Sequence, residues 1–120
     1  MWIYEQSTGV LRKQAEVCGI GYSGKGLFKN KPECQSDHNL GPLPRGFYEM
    51  QTPEDTPLHG PYAIPLKPDM DNQMFGRSGF MIHGDSIHDP GGASDGCIIL
   101  AHEVRVSMWN SGDRLLQVVE

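Results

Sequence analysis

Fifteen glycines and nine prolines spread through 120 residues constrain this chain more than any other feature. Glycine is entropically costly inside a helix and proline breaks one, so long helices are excluded and short strands joined by many turns are favoured. The length supports one hydrophobic core and not two, so residues 1–120 are read as a single domain that must build its site within itself. A net charge of −5 provides no basic stripe to neutralise phosphates, which argues against nucleic acid and anionic membrane surfaces as partners. Met1–Glu5 is too polar and too short for an apolar leader, and no run approaches a membrane span. The expectation is a chain made in the cytoplasm without a signal peptide or membrane insertion, with a monomer as the default.

Patterning fills in the elements. Trp2 to Gln6 alternates apolar and polar residues, turns at Ser7-Thr8-Gly9 and resumes extended character from Val10 to Val17, the pattern of a hairpin. From Cys18 to Gly46 periodicity is lost among glycine, proline and short polar residues, which reads as a long loop or lid. Phe47–Gln51 and Tyr62–Leu66 read as strands, with Pro65 confining the second to a sheet edge. Phe80–His83 and Cys97–Ala101 are short apolar runs flanked by glycine, as buried strands are, with the loop Gly84–Gly96 between them. Val104, Met108 and Trp109 fit one face of a helix from His102 to Asn110, which Ser111-Gly112-Asp113 ends before a last strand, Leu115–Val119. The fold class is therefore mainly β with one short helix and long loops.

Two strand ends carry chemistry. In Ser94-Asp95-Gly96-Cys97-Ile98 a thiol follows a flexible turn and leads into an apolar strand, so it is held by the core yet open to the loop. Gly96 lacks a Cβ and lets a substrate carbonyl approach the backbone amides of Gly96 and Cys97. A lone cysteine here reads equally well as a buried structural thiol. His83 changes that balance, because it ends a strand fourteen residues upstream and adjacent strands would bring imidazole and thiol together. A neutral imidazole within hydrogen-bond reach converts the thiol to the reactive thiolate.

Ile82-His83-Gly84 followed by Ser94-Asp95-Gly96-Cys97-Ile98 resembles the signature of L,D-transpeptidase catalytic domains, and is most similar to the short type VI secretion effectors called Tlde1. Tyr22-Ser23-Gly24-Lys25-Gly26, Asn30-Lys31-Pro32 and Gly41-Pro42-Leu43-Pro44-Arg45-Gly46-Phe47-Tyr48 extend the similarity over most of the chain. The resemblance implies an L,D-transpeptidase-like mixed β-sheet or sandwich and a cysteine enzyme acting on peptidoglycan stem peptides. It makes Cys97 the nucleophile and His83 its base, with Ser94 and Gly96 in the nucleophile loop and Gly41–Tyr48 a substrate-side turn. Asp95 departs from the pattern, since ordinary L,D-transpeptidases carry a second histidine there. The implied reaction releases the terminal D-alanine of a tetrapeptide stem through a thioester, which water, a D-amino acid or a neighbouring stem then resolves. The setting it implies is delivery to a target bacterium's periplasm, with a cognate immunity protein as a partner.

The remaining polar residues are weighed against plainer roles. Gly84, in the loop beside His83, is a candidate to contact substrate, and Asp85 and His88 in the same loop can orient His83, contact a stem amine or, with His83 itself and His102, ligate a metal. Their spacing matches no zinc signature and leaves Cys97 without a role, so neither a metal nor another cofactor is expected. Tyr22, Ser23, Asp95 and Arg45 are candidates to contact substrate, and the guanidinium forks of Arg45 and Arg77 suit its carboxylates. His38 and His59 read as solvated loop residues, and Trp2 and Trp109 as packing. Cys18 and Cys34 either form a disulfide, worth about 3 kcal/mol on loop entropy, or stay free. Two other classes stay open: a catalytically silent module that binds stem peptides, in a phage or secretion apparatus, and a metal-dependent hydrolase.

Overall fold

The computed structural model describes all residues, 1–120. Ten strands and one α-helix follow one another as β1 (Trp2–Glu5), β2 (Val10–Lys13), β3 (Glu16–Ile20), β4 (Tyr22–Ser23), β5 (Gly46–Met50), β6 (Glu54–Thr56), β7 (Gly60–Pro68), β8 (Met81–His83), β9 (Ile98–Ile99), α1 (His102–Asn110) and β10 (Leu115–Val119). The hydrogen-bonded order is β3-β2-β1-β10-β5-β7-β8-β9-β4, with β6 paired to β7. The path is mixed: β1 with β10 and β8 with β9 are parallel, and the other pairs are antiparallel. The fold is thus mainly β, as the glycine and proline content requires. The one α-helix is too short to cross a membrane.

Alternation along the strands builds the core. Trp2 and Tyr4 are buried on β1, Leu116 and Val118 on β10, Tyr48 and Met50 on β5. Register lines them up, Trp2 against Leu116, Leu116 against Tyr48, and Tyr4 between Leu11 and Val118. Residues opposite one another share a face, so these pairs form one continuous apolar stripe. A second stripe runs Ile64–Ile82–Ile98 across β7, β8 and β9, each residue completely buried. Burying such a side chain contributes roughly 1.5–3 kcal/mol, so this stripe anchors the two strand ends that carry His83 and Cys97.

Three expectations need correction. Pro65 does not place its strand at an edge: β7 lies between β5 and β8. The β5 ladder ends at Met50–Leu66, and just beyond it the Pro65 carbonyl accepts from the Gln51 amide. A strand residue's own N–H and C=O point the same way, so the missing donor falls where the β5 ladder has already ended. Val10–Val17 is not one strand, because the chain turns after Lys13 with Gln14 at φ 57°. Cys18–Gly46 is less irregular than it reads: it finishes β3, supplies β4 against β9, and includes single turns of 3₁₀ helix at Gly26–Phe28 and Pro32–Cys34.

The same stretch holds the most unusual packing in the molecule. Gly41 to Pro44 is buried although it is neither helix nor strand. Buried backbone must find partners, and side chains provide them here. Arg77 donates to the carbonyls of Gly41 and Pro42, Gln6 Nε2 to that of Leu43, and the Tyr48 hydroxyl to that of Pro44, while the Leu43 amide donates to Ser23 Oγ. Gly41–Pro44 is therefore an internal spine rather than an open substrate-side turn.

Candidate active site

β8 and β9 set the central geometry. Their parallel register pairs Ile82 with Ile98 and His83 with Ile99, which puts Cys97 beside Met81 when extended by one residue. The Met81 amide accordingly donates to Cys97 Sγ at 3.3 Å. Cys97 and His83 then lie on one face of the sheet, offset by one strand and two residues, roughly 8 Å apart at Cα on standard strand spacings. Both side chains line one cavity of about 390 Å³, together with Phe80, Ala93 and Asp95.

His83 is only 3% exposed, and its Nδ1 lies 2.9 Å from the Gly84 carbonyl. A carbonyl only accepts, so Nδ1 carries the proton and Nε2 is left with a lone pair. That Nε2 is buried and has no hydrogen-bond partner. The other buried polar side chains, Gln6, Ser23, Arg77, Ser94 and Arg105, bond to backbone carbonyls or amides and hold loops in place. Gln6 Oε1 and Arg105 Nε are also without partners, but His83 alone puts such an atom on a residue lining the cavity that also holds the Cys97 thiol.

The loop carrying Cys97 is fixed from behind. Ser94, fully buried, accepts the amides of Gly24 at 2.9 Å and Gly96 at 3.0 Å and donates to the Cys97 carbonyl at 2.6 Å. Ser23 donates to the Gly96 carbonyl at 2.8 Å. Arg77 donates to four carbonyls, those of Gln35, Gly41, Pro42 and Asp95, and so ties the buried spine to the nucleophile loop. Gly96 sits at φ +143°, and a Cβ there would meet Arg77 Nη2 at 2.5 Å and Phe80 Cε1 at 2.8 Å. Glycine is thus required for close packing against Arg77. The Gly96 amide is already engaged by Ser94, which removes it from the pair of oxyanion donors suggested by the sequence.

Burial governs the electrostatics of the pair. Burial lowers the pKa of His83 below its usual value, helped by His59 and Arg105 and opposed by the Gly84 carbonyl and Asp85. Burial raises the pKa of the Cys97 thiol, as does Asp95, against the Met81 amide and Arg77. Both groups are therefore neutral near pH 7, a thiol and an imidazole in one cavity rather than a preformed ion pair. Such a site can move a proton from sulfur to nitrogen when a substrate arrives.

The structure gathers only part of the set read from the sequence. Cys97, His83 and Asp95 line the cavity, with Asp95 68% exposed and 3.7 Å from Lys25. Ser94, Gly96 and Ser23 are buried supports. Tyr22 and Asp85 brace the loop: the Tyr22 hydroxyl donates to Asp85 Oδ1 at 2.6 Å and accepts the Ala93 amide. Asp85 also accepts the amides of Ser86 and Gly91, so it is occupied with its own loop. Gly84 lies against Arg105, and His88 and Arg45 are exposed, with Arg45 paired to Glu120 at 3.0 Å. None of these last three lines the cavity. His83, Asp85, His88 and His102 do not converge, and no group of three or more His, Cys, Asp or Glu side chains is placed to hold a metal. Cys18, Cys34 and Cys97 are all free thiols.

Two histidines read as solvated loop residues also line the cavity, His38 exposed as expected and His59 half-buried. His59 lines the cavity and packs against His83 with ring centroids 4.4 Å apart and the planes tilted by 33°. His38 lines the same cavity, its Nε2 2.6 Å from the Phe75 carbonyl. Neither neighbours His83 or Cys97 in sequence, so only the strand order brings them in.

The chain is thus a mainly β domain whose parallel strand ends bring a cysteine and a histidine with a free Nε2 to one cavity. More particularly, the family model described as Tlde1 domain matches residues 19–119, and the chain belongs to that family. Comparison with curated proteins and with solved structures gives no significant match.

Proposed function

We propose that this protein is a cysteine enzyme of the L,D-transpeptidase type that processes tetrapeptide stems of peptidoglycan. The observation that carries the reading is the pairing, in one cavity, of the Cys97 thiol with a His83 Nε2 that has no other partner. In the proposed reaction Nε2 takes the Sγ proton and the thiolate attacks the carbonyl carbon of the amide preceding the terminal D-alanine. The amide C–N bond breaks, the departing nitrogen takes the proton from His83, and the acyl group remains on Sγ as a thioester. Water resolves the thioester to a carboxylate, which is carboxypeptidase activity. A D-amino acid resolves it to a new amide, which is exchange, and the amine of a neighbouring stem resolves it to a cross-link. In every case His83 accepts the incoming proton and the thiol is restored.

Membership of the Tlde1 family supports an effector role. We therefore place its action in the periplasm of a target bacterium, with a cognate immunity protein as the expected partner. Asp95, exposed and lining the cavity, is the carboxylate assigned to a substrate amine in this reading, which would compete with Lys25 for it. Mass spectrometry of purified tetrapeptide muropeptides, with and without added D-methionine, tests the reading on wild type and Cys97→Ala. Loss or replacement of the terminal D-alanine by wild type alone is the expected result. No change with either protein would sink the enzyme reading for this substrate.

One observation favours a second reading. His83 and Cys97 make no hydrogen bond to each other, and the thiol is held by the Met81 amide. A silent stem-peptide binding module needs no such bond, and it predicts that Cys97→Ala still binds muropeptides while wild type converts none.

A further inference from the structure

The turn between β6 and β7 has no role in the chemistry above, yet it places His59 against the base. The His59 amide donates to Thr56 Oγ1 at 2.7 Å, which fixes the turn, and Gly60 follows at φ +78°. Its ring lies 4.4 Å from that of His83, inclined by 33°. The two rings are therefore in close, tilted contact, while Nδ1 is tied to the Gly84 carbonyl at the edge of the His83 ring. The adjoining Leu58 is 84% exposed and also lines the cavity, so the turn walls the cavity on the side of the base.

We propose that His59 is a positioning residue: its ring, delivered by the β6–β7 turn, clamps His83 between a ring contact and a carbonyl so that Nε2 stays dry and directed into the cavity. Cavity formation alone does not require a ring here. What a ring adds is a close contact along the side of the His83 ring, beside the carbonyl that holds Nδ1. The other charged or titratable groups about His83 come from different elements: Arg105 from α1, Asp85 from the loop after β8, and Cys97 from the nucleophile loop. Arg105 is spent on the carbonyls of Pro61 and Tyr62, and Asp85 on Tyr22 and two amides, so neither can take over the ring contact.

The inference rests on the cysteine–histidine reading of the site, but its test needs no peptidoglycan. Wild type, His59→Phe and His59→Ala are titrated by NMR, with the His83 signals assigned by their absence in His83→Gln. Alkylation of Cys97 by iodoacetamide is followed in parallel, with peptide mass spectrometry separating it from Cys18 and Cys34. Phenylalanine keeps the ring contact and burial, the largest cause of the depressed His83 pKa, while removing only the His59 charge, so His83 should still titrate below the ordinary histidine range, with Cys97 reacting near the wild-type rate. Alanine admits water, so His83 should titrate closer to an ordinary histidine and Cys97 alkylation at pH 7 should slow, by up to about 100-fold if the base is misplaced by an ångström. Should alanine unfold the turn, His59→Gln removes the ring while keeping a polar side chain of similar reach. An unchanged His83 titration in the ringless variants overturns the proposal, as does a phenylalanine variant that behaves like them. Failure of wild type to process tetrapeptides would count against the peptidoglycan reading and leave this result standing.

Discussion

The Ser94 hydroxyl donates to the Cys97 carbonyl across 2.6 Å while accepting two buried amides, those of Gly24 and Gly96. One side chain thus closes the turn that presents the thiol and joins it to the loop after β4. Ser94→Ala strands both amides, and the expected loss of stability is roughly 1–3 kcal/mol. Chemical denaturation measures it, and Cys97 alkylation should lose its uniform rate as the turn loosens. A variant as stable as wild type would mean that water replaces the hydroxyl.

Arg77 and Gly96 are coupled, because the guanidinium occupies the space that a Cβ on Gly96 would need. Arg77→Met leaves four carbonyls without their charged donor and should cost about 3 kcal/mol or more. Gly96→Ala should also destabilise, through both the clash and its positive φ. Once Arg77 is absent the added penalty of Gly96→Ala should shrink, which a double-mutant cycle by urea unfolding would read out.

The pH dependence follows from a depressed His83 and an elevated Cys97. Proton transfer from sulfur needs His83 neutral, so the acid limb of any Cys97-dependent activity should have its midpoint below the usual histidine value of 6.5. For stability, the unfolded chain takes up the His83 proton first as pH falls. The His83 contribution is therefore complete above about pH 6.5 and is lost as pH drops through the folded value. Cys97 runs the other way: its contribution is complete below the unfolded thiol value and is lost as pH rises through the folded one. Denaturation midpoints across pH check both signs, and in His83→Gln the acid-side loss should shrink.

Tyr22 carries a hydroxyl that burial and then Asp85 push up to about 12, so it stays protonated and keeps donating. Tyr22→Phe removes the bridge between Asp85 and the Ala93 amide at a cost of about 1 kcal/mol. Hydrogen exchange at Ala93 should quicken while exchange at Tyr4 or Leu116, deep in the sheet, stays as in wild type.

Local signals made some of this fold readable and distance hid the rest. The helix His102–Asn110 and the strand Leu115–Val119 have the bounds that their apolar spacing and the Ser111-Gly112 stop indicate. The histidine and cysteine were legible because each ends an apolar run beside glycine. Pro65 misled because its effect depends on where the neighbouring ladder ends, which no local pattern records. His59 was passed over as a loop residue because its place beside His83 follows from the pairing of β7 with β8. Arg77 was matched to a ligand's carboxylates, whereas the buried Gly41–Pro44 spine consumes its donors. A proline-bounded segment gives little sign that it will be interior.

The first and last strands lie side by side in the interior of the sheet, Trp2 against Leu116 and Tyr4 against Val118. During synthesis β1 emerges early and must wait for β10, while β5 has no partner on that side until the same moment. Pairings this remote in sequence make for slow closure. A ribosome-bound chain short of residue 115 therefore lacks the strand that joins the two halves of its sheet, so complete assembly follows translation of the last strand.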